Sequence, residues 1–265
     1  MVRLSGAEPV IVPCPPSDGF LLTAAALEAA LTPRTRMLIL CTPSNPTGAV
    51  YPEEALQALA AVAARHPRLV VLSDEIYEHI IYPPARHVSF ASLPGMWGRT
   101  VTVNGFSKAF AMTGWRMGYL AAPGWAAAAA ASIAQAASLA ALGMGHAGGA
   151  PVAAMVAAFL QRRDYIVARL SAWPGVRLAA PDGAFYVMPD VTAYCGCEAP
   201  GFGPIPDSET LCRYLLETAL VAAVPGEAFG LPGTLRISYA CSLETLAEAA
   251  DRMEAALRKL PAWRS

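Results

Sequence analysis

Short apolar runs alternate along the chain with longer segments in which apolar positions recur every three or four residues. The short runs predict strands at residues 9–13, 37–41, 70–73, 100–103 and 117–121, and the helical spacing predicts helices at 23–31 and 52–65. Pro52 stands at a first turn, where a missing N–H costs nothing, and Glu53 and Glu54 follow where the helix dipole favours negative charge. Strands separated by helices predict an α/β fold with a mainly parallel sheet flanked by helices.

The pattern changes in the second half. A predicted alanine-rich helix at 125–142 runs into the glycine-loaded connector 143–149, and a long helix follows at 152–173. Beyond it, strands are predicted at 176–179, 185–188, 221–224 and 234–238, with helices at 208–219 and 243–260; the Gly- and Pro-rich stretch 195–206 reads as a loop. The expected organisation is a large domain over residues 1–150 and a smaller α+β domain over 151–265. No internal repeat is visible.

Composition narrows the classes. Of the 265 residues 55% are hydrophobic and 15% charged, enough apolar matter for one or two domains with a real core. The net charge of −1 provides no basic footprint for nucleic acid. The six cysteines are scattered without zinc-ligand spacing and read as reduced thiols. The first residues lack the apolar stretch of a signal peptide, which predicts a cytoplasmic protein. Residues 117–161 contain no Lys, Arg, Asp or Glu, yet they are mostly alanine broken by Pro123, Gln135, His146 and Pro151, so a buried helix pair is expected rather than a membrane span.

Candidate chemistry gathers after the predicted strands. Lys108 follows Asn104-Gly105-Phe106-Ser107 and precedes Arg116 by eight positions; a lysine amine desolvated near other cations is a nucleophile toward carbonyls. Ligands of open α/β sheets collect beyond the carboxyl ends of strands, where Asn45, Asp74 and Lys108 all fall, so these three are expected to converge on one crevice. Arg236, inside the apolar run Leu235-Arg236-Ile237-Ser238-Tyr239, needs an anionic partner: a ligand, or a nearby Glu or Asp. Asp74 could instead cap a following helix, and Lys108 alone would pass for a solvated surface lysine.

Five segments together resemble class I aminotransferases of fold type I, the pyridoxal-phosphate-dependent group, and within it the bacterial aspartate/prephenate subgroup. They are residues 44–51 (Ser-Asn-Pro-Thr-Gly-Ala-Val-Tyr), 73–79 (Ser-Asp-Glu-Ile-Tyr-Glu-His), 108–118, 183–187 and 236–240. The resemblance implies that Lys108 joins the cofactor aldehyde and shuttles the substrate α-proton. It implies that Asp74 keeps the pyridine nitrogen protonated; such a pair at 4 Å is attracted by about 4 kcal/mol at an effective dielectric near 20. Asn45 and Tyr77 would hydrogen-bond the cofactor phenolic oxygen, Arg116, with Ser107, would bind the phosphate, and Arg236, with Asn45, would hold the substrate carboxylate. Segment 183–186 resembles a strand near the substrate and reads equally well as core.

An amino group moving between an aspartate-like amino acid and a 2-oxo acid in a homodimer is the implied function. Carbon–sulfur lyases of the same fold share the counterparts of Lys108, Asp74 and Arg236, and a truncated, weakly active or inactive remnant is a further alternative. Two departures from the family pattern stand out. Residues 1–13 correspond to a point well inside the large domain, so an amino-terminal part is expected to be missing, leaving the large-domain sheet incomplete with 117–121 as its exposed edge. After Trp125 the family's polar segment gives way to alanines.

Overall fold

Three parallel strands and one antiparallel strand build the sheet that carries most of the candidate chemistry. The computed structural model describes residues 2–124 and 133–264. Strand β1 (Met37–Cys41) pairs with β2 (Val70–Asp74) in parallel, with Cys41 opposite Asp74, and β2 pairs in parallel with β3 (Thr100–Gly105), with Asp74 opposite Val103. Strand β4 (Gly118–Ala121) returns antiparallel to β3, setting Gly118 opposite Gly105. The order is β1-β2-β3-β4.

Helices α1 (Ala24–Ala30) and α2 (Glu53–Arg65) cover this sheet. Thr23 caps α1 by accepting from Ala26 N–H, and Leu56, Leu59, Val62 and Ala63 of α2 are buried with Leu40 and Val71. On β1, Leu40 is buried but Met37 and Ile39, on the alternate face, are about half exposed at 48% and 52%. No α-helix links β2 to β3; two short 3-10 turns, Phe90–Ser92 and Trp97–Arg99, occupy that connection.

The chain divides into two compact units. The first comprises Met1–Thr42, Tyr51–Glu78 and Arg86–Gly143; the second comprises Pro43–Val50, His79–Ala85 and Met144–Ser265. In the second, helix α4 (Gly149–Ser171) packs with α5 (Ser208–Ala219) and α6 (Leu243–Leu257) on an antiparallel sheet of order β5-β9-β8, formed by Tyr186–Val187, Leu235–Ser238 and Val224–Pro225. Asp207 and Ser242 cap α5 and α6 by accepting from Thr210 and Thr245 N–H. Arg169 ties α4 to Asp251 and Glu254 of α6, each at 2.8 Å. Around Leu170, Leu211, Leu235 and Met253 only a void of about 10 Å³ remains.

Segments 43–50 and 79–85 join the second unit through backbone pairing. Asp182 and Gly183 N–H both donate to Gly48 O, and Ala184 N–H donates to Ile80 O at 2.8 Å. Gly48 has φ +72°, and a Cβ there would meet Pro181 Cβ at 2.4 Å and Gly183 O at 2.7 Å.

Several expectations need correction. Residues 9–13 form no strand; Pro9 and Pro13 lack the N–H a ladder requires, and Val10 and Ile11 lie exposed. Residues 176–179 contribute only the bridge Arg177 to Asp190. The stretch read as a loop at 195–206 contains a hairpin, β6 (Cys197–Ala199) with β7 (Gly203–Ile205). Its turn places Pro200 and Gly201 (φ +77°) at the central positions, with Phe202 N–H donating to Ala199 O at 3.0 Å. The predicted strand at 221–224 is displaced to Val224–Pro225. Of the helix expected at 125–142, α3 (Ile133–Leu142) is observed, and residues 125–132, with the alanine run after Trp125, lie outside the described residues.

Among the described residues no helix is long and apolar enough to cross a membrane, and none of the six cysteines is in a disulfide. The expected exposed edge is present: β4 pairs only with β3 among the described strands, and Tyr119 and Leu120 are 40% and 44% exposed.

Candidate active site

Asp74 ends β2, and the loop bearing Lys108 begins where the neighbouring β3 ends at Gly105. Adjacent parallel strands therefore deliver an acid and an amine at the same edge of one sheet. The Asp74 carboxylate accepts one hydrogen bond, from Ile76 N–H at 3.2 Å, and forms no ion pair among the described residues. Burial raises its pKa above the ordinary carboxylate range, the Ile76 N–H opposes the rise, and the Glu75 charge adds to it. The segment after Asp74 is a turn with no α-helix, so the helix-cap reading does not apply.

The Lys108 loop is held from below. Phe106 and Ala109 are buried, with Phe106 packed against Phe110 and Tyr119 at ring-centroid distances of 5.4 and 5.7 Å. Met112 N–H donates to Phe106 O, Thr113 Oγ1 donates to Ser107 O at 2.7 Å, and Ala111 adopts a left-handed conformation, φ +52°. Lys108 and Ser107 are half-buried. Arg116 is exposed, also left-handed at φ +52°, and its Nη1 donates to Thr113 O. Tyr77 is buried, three residues beyond Asp74.

Asn45 and Arg236 lie in the second unit and meet there. Arg236 Nη1 donates to Asn45 Oδ1 at 3.0 Å, while Arg236 Nε is buried without a partner. Arg236 sits on the central strand β9 and meets the rings of Tyr186 and Phe229, with its guanidinium carbon 4.7 and 5.0 Å from their centroids. No carboxylate pairs with it among the described residues, which leaves the structural ion-pair reading of Arg236 without support. The structure thus groups Asp74, Tyr77, Ser107, Lys108 and Arg116 in one unit, and Asn45 and Arg236 in the other.

One network was not anticipated from the sequence. Glu75 is 1% exposed; its Oε1 accepts from Ser73 Oγ (2.8 Å), Ser89 Oγ (3.0 Å) and Phe90 N–H (3.2 Å), and its Oε2 meets His87 Nε2 at 3.0 Å. Asn104 Nδ2 donates to Glu78 Oε1 at 2.6 Å. These bonds brace the turn after β2, which bears Asp74 and Tyr77, against residues 87–90 and the end of β3. The signal lay in three acids within five positions after a buried strand, at 74, 75 and 78, too many charges to leave partly buried unpartnered.

The family model for aminotransferase class I and II matches residues 1–253, and the chain belongs to this family. A Petunia hybrida protein named bifunctional aspartate aminotransferase and glutamate/aspartate-prephenate aminotransferase is 57% identical over 268 residues, covering 97% of this chain and 56% of the relative. The crystal structure of the aspartate aminotransferase from Rhizobium meliloti superposes with a TM-score of 0.90 at 42% identity, over 98% of this chain and 67% of that one. Thermus thermophilus aspartate aminotransferase, solved with maleate, matches with a TM-score of 0.86 at 39% identity, over 97% of this chain and 66% of that one. The α/β architecture is therefore that of the fold type I pyridoxal-phosphate aminotransferases. The chain spans roughly half to two thirds of the length of these relatives.

Proposed function

We propose that the chain contributes the catalytic residues of a pyridoxal-phosphate-dependent aminotransferase that moves an amino group between an amino acid, aspartate-like, and a 2-oxo acid. The observation that carries this reading is the pairing of Asp74 at the end of β2 with the Lys108 loop at the end of the adjacent β3.

The residues present fit the cofactor. The partly desolvated Asp74 carboxylate lacks a cationic partner, and a protonated ring nitrogen would supply one. Arg116 presents a solvent-facing guanidinium suited to a phosphate, with Ser107 beside the lysine, and Tyr77 and Asn45 offer donors for a phenolic oxygen. When bound, the cofactor supplies an electron sink for the bond broken at the substrate α-carbon. Lys108 Nζ would hold the cofactor aldehyde and would take up and return the substrate α-proton. Asp74 would keep a proton on the ring nitrogen. Arg236, with Asn45 on one edge, would orient the substrate carboxylate.

The division into a cofactor-binding domain over 1–150 and a small domain over 151–265, a homodimeric assembly, a cytoplasmic location and the absence of nucleic-acid partners belong to the same proposal. Borohydride reduction in the presence of pyridoxal phosphate, followed by peptide mass mapping, tests it. The label is expected on Lys108 and is expected to vanish in Lys108→Ala; a label elsewhere overturns the assignment. Product analysis with an amino acid and a 2-oxo acid separates transfer from the carbon–sulfur lyase alternative. The half-exposed Met37 and Ile39 favour a second reading, a weakly active or inactive form, for which a featureless cofactor absorption titration is the expected result.

A further inference from the structure

In the second unit Arg169, Arg177, Arg252 and Arg258 each meet a carboxylate within 2.8 Å. Arg236 differs: its charge is bordered by two aromatic rings and one neutral amide. The rings come from both sides of β9. Tyr186 lies on β5 opposite Ser238, two residues from Arg236 and so on the same face of the sheet, at the diagonal distance an aromatic side chain can span. Phe229 ends the 3-10 turn Gly226–Phe229 that follows β8, and β8 pairs with Arg236 directly through Val224.

An aromatic face attracts a cation without cancelling its charge, and it cannot accept an in-plane N–H as a carboxylate does. A carboxylate in either position would orient the guanidinium equally well but would neutralise it and occupy its donors. With rings there, the guanidinium is partly desolvated and restrained, Asn45 takes one in-plane donor, and the buried Nε–H remains unpartnered.

We propose that Tyr186 and Phe229 are positioning residues that hold Arg236 in place with its charge uncompensated, and so available to a planar carboxylate. This rests on the reading of Arg236 as the carboxylate anchor, and it assigns a role to two aromatic side chains that otherwise pass for core.

Calorimetric titration of the full chain with 2-oxoglutarate, with and without pyridoxal phosphate, tests the assignment. Tyr186→Leu and Phe229→Leu are each expected to weaken binding by about 5- to 20-fold, the range of a partly desolvated cation–π contact. Tyr186→Phe, which keeps the ring, is expected to stay within about twofold of the parent. Borohydride fixation at Lys108 is expected to be unchanged in all three variants. The proposal is overturned if both leucine variants bind like the parent, or if Tyr186→Phe is as weak as Tyr186→Leu, the outcome of a merely structural role. A parent that does not bind the acid sinks this proposal together with the carboxylate anchor. A parent that binds the acid but is not labelled at Lys108 sinks only the cofactor reading.

Discussion

The first unit buries one side of its sheet, whereas the second closes around its core. Beneath α1 and α2 the first unit has a well-packed cluster that includes Leu27, Leu56, Leu59 and Phe90, yet Met37 and Ile39 on the other face of β1 and Tyr119 and Leu120 on β4 remain substantially exposed. The second unit buries Tyr194, Tyr214, Tyr239, Ile166 and Leu170 almost completely and satisfies the polar tips of its tyrosines, as where Tyr214 Oη donates to Ala256 O across α5 and α6 at 2.9 Å. Parallel sheets are ordinarily covered on both faces. Among the described residues, the sheet that bears the acid and the lysine loop is thus covered on one face, whereas the unit that bears the arginine is a sealed scaffold.

The sharpest test of that contrast is core deletion. Leu170→Ala is expected to destabilise the second unit, and Leu56→Ala the first, by about 2–5 kcal/mol each in urea unfolding, while Leu120→Ala stays within about 0.5 kcal/mol. A Leu120→Ala cost comparable to the other two would mean that the exposed edge is covered in solution.

The brace behind Asp74 is the next largest effect. Glu75→Leu removes the acceptor shared by Ser73, Ser89, Phe90 N–H and His87, and a loss of about 3 kcal/mol is expected in the same assay. Hydrogen exchange should rise at residues 74–78 and 87–90 before the rest of the unit; uniform exchange would break the idea of a local brace. Arg169→Met, which removes the α4 to α6 ion pairs, is expected to cost about 1 kcal/mol, because these groups are partly solvated.

The smallest effect concerns Asp74. Its carboxyl has a pKa raised by burial in the fold, so ionisation on raising the pH works against the folded state without a cofactor. Asp74→Asn keeps an acceptor for Ile76 N–H, and its melting temperature without pyridoxal phosphate is expected to exceed the parent's slightly at neutral pH. That gain should fade as pH falls through the carboxylate range. A gain that persists in acid would assign the effect to something other than charge.

Where local pattern and burial agree, the fold was readable from the residues: the apolar run 37–41 became β1 with those bounds, and 208–219 became α5. It failed where a long-range partner decides. Residues 9–13 have strand-like side chains, but no neighbouring strand pairs with them among the described residues. The hairpin of β6 and β7 was hidden because Pro200 and Gly201 count equally as loop residues and as the centre of a turn, and only the register of Cys197 with Ile205 distinguishes the two. The meeting of Asn45 with Arg236 spans 191 positions, so no spacing rule could anticipate that hydrogen bond, although both residues stood out singly. Asp74 and Lys108 were easier, since each follows directly from where a strand stops.

Gly48 has no side chain to offer a ligand, yet it determines where Asn45 can stand. Its missing side chain lets segment 43–50 nest against residues 181–183, and even a methyl group there would push that nest apart. A library screened for function should therefore find this position nearly as intolerant as the arginine whose partner it seats, a dependence that a map of ligand-touching residues would overlook.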